Sequence, residues 1–450
     1  MSRKKGRSGV GRSASSVALI AVVVGALAVV TAVSTATARP HIGVAAAGKA
    51  SGCPFHNGVI RAFQTLDLTG VAGDIGPSTK RAADVWIASL NAHGGILGCK
   101  LIVDIVDEPF PDVAQCLRHY REAIASNKYD FFFGSFNSAC MAVLPSLTNK
   151  AHKAVIANSA ADHEPFFNPK FQKYNFHGAV STFLEGRGVA VFSKMKGWKR
   201  VSTITPNFAY GQDIVKAFVQ YFKKIQPGAQ ILAQEFPAFG EKNLQPFINA
   251  AVAPKPDAVV GGMFSTDILT LWKQWLADGI TIPNLTLSGL PNLEAIKSPS
   301  QMPPNSFGFI RGFWTAVDKT PIGAQLFKLY TAKYGHSSHP VPSAWGFAWV
   351  SGVQMAKGMI EATKSLSPDA WVKLVESGKF TFQSPYHSGP TSVDPVNHMA
   401  DTCVTVGKLT FNKSLPVPAT YDPKNTIQVC MHDILTHAEA KQLTTNPRVK

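Results

Sequence analysis

The chain has 450 residues, more than one compact core usually accommodates, so two domains of ordinary size are expected. Apolar residues make up 45% and charged residues 16%, a balance that excludes an intrinsically disordered chain. The formal net charge is +16, yet Lys and Arg are scattered without a basic helix or an aromatic-interleaved basic motif, which argues against nucleic acid as a partner.

The first residues carry a basic head of Arg3, Lys4, Lys5, Arg7 and Arg12, then an uncharged apolar run from Val17 to Val33 and the small residues Ala36-Thr37-Ala38. This is the pattern of a secretory signal peptide at residues 1–38 with an A-x-A cleavage site. The mature chain is therefore expected outside the cytoplasm, periplasmic or at the cell surface. The uncharged span between Arg12 and Arg39 is also long enough to cross a bilayer, so an uncut anchor is the alternative. Cys53 is separated from the apolar run by Arg39, His41 and Lys49, an arrangement that argues against lipidation. Cleavage takes away five positive charges and no negative ones, leaving +11. Residues 39–57 read as an N-terminal extension.

From Val59 onward, strand and helix patterns alternate. Val59 to Leu66 reads as a buried strand, Lys80 to Ala92 as a helix, and Leu101 to Val106 as the next strand. A helix from about Val113 to Ser126 leads to an aromatic-rich strand, Tyr129 to Phe133. Further strands are predicted at Ala154 to Ala157, Val201 to Thr205, Ile231 to Glu235, Ala258 to Gly262 and Leu285 to Ser288. This alternation implies an α/β fold built on doubly wound, mostly parallel sheets, whose ligand loops follow the strand ends on one edge. Pro and Gly accumulate at 289–321 and 384–395, which read as hinges or crossings. In the tail, Cys403 to Phe411 and Thr426 to Met431 read as two short strands.

Six cysteines in an exported chain, with no CxxC, point to disulfides rather than a metal site. The count alone does not fix connectivity; Cys53 with Cys99, Cys116 with Cys140, and Cys403 with Cys430 are the expected pairs, the last clamping the two tail strands. No HExxH, GxSxG, GxxxxGK[ST] or strand-borne GxGxxG is present, so no enzyme activity and no cofactor are expected. Two loops offer a binding site instead. Gly134-Ser135-Phe136-Asn137-Ser138-Ala139-Cys140 follows a strand and opens a helix, where backbone N–H groups and hydroxyls suit an anion or, alternatively, a plain helix cap. Asn158-Ser159-Ala160-Ala161-Asp162 is placed similarly, with Asp162 suited to a cation or to a turn.

The stretch Asn91-Ala92-His93-Gly94-Gly95-Ile96-Leu97-Gly98-Cys99-Lys100-Leu101 resembles the N-x-x-GGI-x-G-x-x-L segment of type I periplasmic binding proteins of the branched-chain amino-acid class. Leu68-Thr69-Gly70, Tyr210-Gly211, Trp272 to Gly279 and Ser388-Gly389-Pro390 resemble further family segments, so the likeness spans nearly the whole mature chain. The resemblance implies two hinged lobes joined by three crossings, one from 58–177 plus 312–385 and the other from 178–311 plus 386–450. It implies a monomer that captures a small polar solute, an amino acid or a related amide or carboxylate, for the permease of an ABC importer. The ligand contacts it implies are Asn137, Ser138, Ala139, Ser159, Ala160, Asp162, Tyr210 and Phe264. Two positions depart from the family: Gly289-Leu290-Pro291-Asn292 lacks the second-lobe acid, and Ile75 replaces the first-loop aromatic. Trp345, Phe347 and Trp349 read as lobe-one packing, with one member reaching the cleft. A membrane-held sensor domain of the same fold is the competing reading.

Overall fold

Strand β1 (Val59–Leu66) forms where its apolar run predicts and lies between β2 (Lys100–Asp107) and β3 (Phe131–Phe133), parallel to both. The computed structural model describes residues 52–55, 58–158 and 172–443, so the predicted signal peptide, Ser159, Ala160 and Asp162 lie outside the described residues. Among the described residues no helix is long and apolar enough to cross a membrane.

With β4 (Val155–Ala157) and β5 (Asn175–His177) the first sheet takes the order β2-β1-β3-β4-β5, all parallel. Helices α1 (Ile75–Ala92), α2 (Val113–Ala125) and α3 (Ser138–Lys150) make its crossovers. The chain then enters a second lobe through α4 (Thr182–Met195). There β6 (Arg200–Ile204), α5 (Ala209–Ile225), β7 (Gln230–Glu235), α6 (Gln245–Val252), β8 (Ala258–Val260), α7 (Thr266–Ala277), β9 (Asn284–Leu287), α8 (Leu290–Ala295) and β10 (Ser306–Ile310) follow one another. After β10 the helices α9 (Trp314–Val317), α10 (Pro321–Tyr334), α11 (Ala344–Thr363) and α12 (Pro368–Glu376) come next, α10 and α11 returning to pack on α1. A small ribbon of β11 (Thr381–Phe382) and β12 (Thr391–Ser392) precedes β13 (Cys403–Phe411) and β14 (Ala419–Cys430), which close the second sheet in the order β14-β13-β10-β9-β8-β6-β7. Only β13 breaks its parallel course, running antiparallel to β10 and β14. Helices α13 (Met431–Ile434) and α14 (His437–Leu443) end the described chain. The chain thus passes between the sheets after β5, after β10 and before β13.

Some boundaries differ from the sequence reading, each for a local reason. Helix α1 starts at Ile75 rather than Lys80, because Pro77 falls in the first turn, where a missing N–H is harmless, and the Ser78 and Thr79 hydroxyls donate to the Ile75 carbonyl at 2.7 and 3.0 Å. The Pro- and Gly-rich stretch 289–321 is not a hinge throughout: it holds α8 and the fully buried strand β10, and the crossing is confined to its end. The last strand begins at Ala419 rather than Thr426, since β13 continues to pair with it beyond an irregularity between Gly407 and Leu409.

The Asn91 to Leu101 segment shows why its residue types are needed. The Asn91 side chain donates to the Leu101 carbonyl at 2.9 Å and accepts the Leu101 N–H at 2.8 Å, fixing the helix end to the next strand. Gly95 has φ +68°, and a Cβ there would sit 1.9 Å from the Cys99 carbonyl oxygen. All three expected disulfides are formed, Cys53–Cys99, Cys116–Cys140 and Cys403–Cys430.

Candidate ligand-binding site

Loops leaving the C-terminal ends of strands in both sheets meet around one cavity, the position where doubly wound sheets bind ligands. Phe110 follows β2, and Phe136 and Ser138 follow β3. From the second lobe, Phe208 and Tyr210 follow β6, Phe264 follows β8, Leu287 ends β9 and Arg311 follows β10. Trp345 in the first turn of α11 completes the lining. About 270 Å³ of space lies between these side chains, but the rings leave only a small part of it wide enough for water.

The rings touch across the cleft. Phe110 of the first lobe meets Phe208 at 5.3 Å and Phe239 at 5.4 Å, both edge-on, and Phe136 meets Phe264 at 6.4 Å. Within the second lobe Phe264 stacks on Phe239 at 4.9 Å and meets Tyr210 at 5.6 Å. Polar contacts also span the lobes: the Ser265 hydroxyl donates to Asp74 at 2.8 Å, and His339 Nδ1 lies 2.7 Å from Glu294 Oε2.

Charge enters the cavity at Arg311, which is fully buried. Its Nε and Nη2 donate to the two carboxylate oxygens of Glu185 at 2.7 and 3.0 Å, and its guanidinium lies 4.8 Å from the centre of the Trp345 ring. Burial raises the Glu185 carboxyl even against the pull of Arg311, and Glu185 in turn keeps Arg311 protonated despite its own burial. The Tyr210 hydroxyl is buried and has no hydrogen-bond partner among the described residues. Burial first, then the nearby Glu185, push its phenol well up, so it stays a neutral donor. Gly262 makes room for it: a Cβ there would lie 2.9 Å from the Tyr210 ring.

The loop expected to cradle an anion already holds one of the protein's own carboxyl groups. Glu108, fully buried after β2, accepts the Ser135 hydroxyl at 2.7 Å and the Asn137 N–H at 3.2 Å, with the Thr65 hydroxyl bonded to its other oxygen. Burial pushes the Glu108 carboxyl up to about 7. Asn137 is the cap of α3: its Oδ1 accepts from the N–H groups of Ala139 and Cys140 at 3.0 and 3.3 Å. Asn137 and Ala139 therefore satisfy each other and do not line the cavity, whereas Ser138, Tyr210 and Phe264 do. Of the three aromatic residues on α11, Trp345 reaches the cavity, while Phe347 and Trp349 lie in the core, Trp349 donating to Gln64 at 2.7 Å. Glu294 is held by His339. Phe110, Phe208, Leu287 and Arg311 escaped the sequence reading; their common signal is a position at, or within a few residues after, the end of a buried strand. Among the described residues one group of three metal-type ligands lies close together, His387, Cys403 and Cys430, and its two sulfurs are joined in a disulfide.

The profile of the periplasmic binding proteins matches residues 64–414, well over half of the chain. The chain belongs to the periplasmic binding protein family. Solved structures similar to this periplasmic binding protein include an ABC-transporter solute-binding protein of R. palustris in complex with benzoate, 18% identical, with a TM-score of 0.66 over 81% of this chain and 98% of the other. The substrate-binding protein LivJ of Streptococcus pneumoniae, in complex with isoleucine, is 18% identical, with a TM-score of 0.66 over 83% of this chain and 99% of its own. The leucine-binding protein LivK of Thermotoga maritima is 18% identical, with a TM-score of 0.68 over 83% of this chain and 100% of its own. At such identity the likeness concerns the fold. No curated protein matches the chain in sequence. The family binds solutes and is not one of enzymes, in keeping with the missing catalytic signatures.

Proposed function

We propose that this protein is exported and captures a small aromatic acid as a monomer, delivering it to the permease of an ABC importer. The observation that carries the reading is the cavity lining: rings from both lobes converge on a space whose polar groups are donors, namely Arg311, the Tyr210 hydroxyl and Ser138. A flat ring replaces ring-on-ring contacts without leaving gaps, and a carboxylate supplies the acceptor that the buried Tyr210 hydroxyl lacks. The cavity is more aromatic than the polar cleft expected from the sequence, and the second-lobe acid that would hold an amino-acid ammonium is replaced by Gly289 to Asn292. Structural neighbours in complex with benzoate, p-hydroxybenzoic acid and 3,4-dihydroxybenzoic acid lend support, although another holds isoleucine.

No bond chemistry is required. A ligand that touches both lobes shifts the population toward the closed form, and the closed surface is what a permease reads. The test is a thermal-shift and calorimetric screen of benzoates, phenylacetates, aromatic amino acids and branched aliphatic amino acids. Stabilisation by a ring-bearing acid is the expected result; stabilisation by leucine, isoleucine or valine alone would overturn the aromatic reading.

A further inference from the structure

A second compartment adjoins the aromatic cavity and shares Phe264, Leu287 and Trp345 with it, so the three side chains form a common wall. It has room for about one water-sized group, and beside the apolar Ile75 and Pro291 its remaining lining is of a different kind: Asp74, Ser265, Asn292 and the Gly289 backbone. Asp74 precedes α1 in the first lobe; Ser265 and Asn292 belong to the second. The Ser265 hydroxyl donates to Asp74 Oδ1 at 2.8 Å, and Asn292 Nδ2 donates to the Ser265 carbonyl at 2.6 Å. Ser265 is held at φ +53°, an unusual value for a residue with a side chain, and that backbone position brings its hydroxyl to the opposite lobe.

We propose that Asp74 is a specificity-determining residue that selects aromatic acids bearing a hydrogen-bond donor, a hydroxyl or an amino group, on the ring away from the carboxylate. This rests on the aromatic-acid reading above. The two compartments are opposite in polarity: donors line the first, at Arg311, Tyr210 and Ser138, while a carboxylate stands in the second. A ligand spanning the shared wall matches both ends only if it accepts at one and donates at the other. Asp74 Oδ1 accepts from Ser265, and the carboxyl also takes backbone N–H bonds from Asp74 and Ile75; a carboxylate accepts through two oxygens with several lone pairs, so capacity for a ligand donor remains. Burial raises its carboxyl from the ordinary range, and a donor from the ligand relieves that cost. Because Asp74 and Ser265 come from different lobes, a donor placed here also bridges the cleft.

The experiment is calorimetric titration of the full-length protein with benzoate, 4-hydroxybenzoate and 4-aminobenzoate, for the wild type and for Asp74→Asn and Asp74→Glu. A hydrogen bond to a charged acceptor is expected to favour the substituted acids by about 10- to 100-fold in the wild type. Asp74→Asn should bring the three affinities within about threefold of one another, with a far-UV circular dichroism spectrum like that of the wild type reporting that the variant is folded; Asp74→Glu should retain part of the preference. Equal affinities in the wild type, or a preference that survives Asp74→Asn, would overturn the inference while leaving the aromatic reading in place. Failure of all three acids to bind would overturn the inference, and failure of phenylacetates and aromatic amino acids as well would overturn the aromatic reading.

Discussion

Replacing Arg311 with methionine keeps much of the side chain's volume but deletes its charge, leaving Glu185 as a carboxylate sealed from water. Both members of this pair have no exposed side-chain surface, so solvent cannot compensate for the loss. Breaking a buried ion pair from one side costs about 3–5 kcal/mol. In domains of 150–250 residues each kcal/mol moves the melting temperature by about 2–4 °C, so a drop of roughly 6–20 °C is expected. The pH dependence follows from the raised Glu185 carboxyl. Without its cation, the native Glu185 holds a proton at pH values where the unfolded chain has released it, so the variant loses stability as pH rises above the ordinary glutamate range. The deficit is therefore expected to be larger at pH 8 than at pH 5. Glu185→Gln combined with Arg311→Met removes both charges and should recover much of the loss. Urea and thermal unfolding of wild type, single and double variants at the two pH values measure all of this. A single variant that costs less than about 1 kcal/mol, or a double variant no more stable than the single, would refute the reasoning.

Glu108 offers a second pH signature. Its carboxyl rises from 4.5 to about 7, so the native state holds a proton that the unfolded state lacks, and up to about 3 kcal/mol of stability is lost as pH climbs from 4.5 to 7. Glu108→Gln should flatten that part of the stability curve in unfolding titrations. Phe264→Ala removes the ring in contact with both Phe136 and Phe239; it should lower stability by about 3–5 kcal/mol in chemical denaturation and abolish the thermal shift given by a ring-bearing acid. Cys403→Ser with Cys430→Ser opens a loop closed across 27 residues, and a loss of about 3–4 kcal/mol is expected by comparing its urea midpoint with that of the wild type.

The alternation of apolar strands with amphipathic helices made the doubly wound layers legible, because buried parallel strands are apolar on both faces. The Asn91 to Leu101 segment was legible for a firmer reason: Gly95 and Asn91 each meet a backbone constraint that few residues satisfy. Short strands were harder to see. Asn175-Phe176-His177 has three residues and two polar side chains, and it is a strand only because β4 pairs with it. Strand β10 was hidden by its setting among prolines. At the site, Ser138 was visible as a residue of a loop following a strand, and Tyr210 and Phe264 only through the family resemblance. Arg311 was not, since a buried arginine makes sense only beside Glu185, 126 residues away in sequence. Asn137 misled in an instructive way: a helix cap and an anion contact ask for the same residue type at the same place, and the capping bonds to Ala139 and Cys140 emerge only in three dimensions.

The rings that meet across the cleft make the protein a competitor for its own binding site. A solute gains only the difference between its contacts with Phe110, Phe136, Phe208 and Phe264 and the contacts those rings make with one another. Among the described residues three ring pairs span the lobes at the cavity, and each contributes about 0.5–1.5 kcal/mol beyond its buried area. An aliphatic guest that breaks all three without replacing them starts with a handicap of roughly tenfold to a thousandfold in affinity. Selection by shape is thus exercised before any polar group is consulted, through an exchange that only another ring makes even.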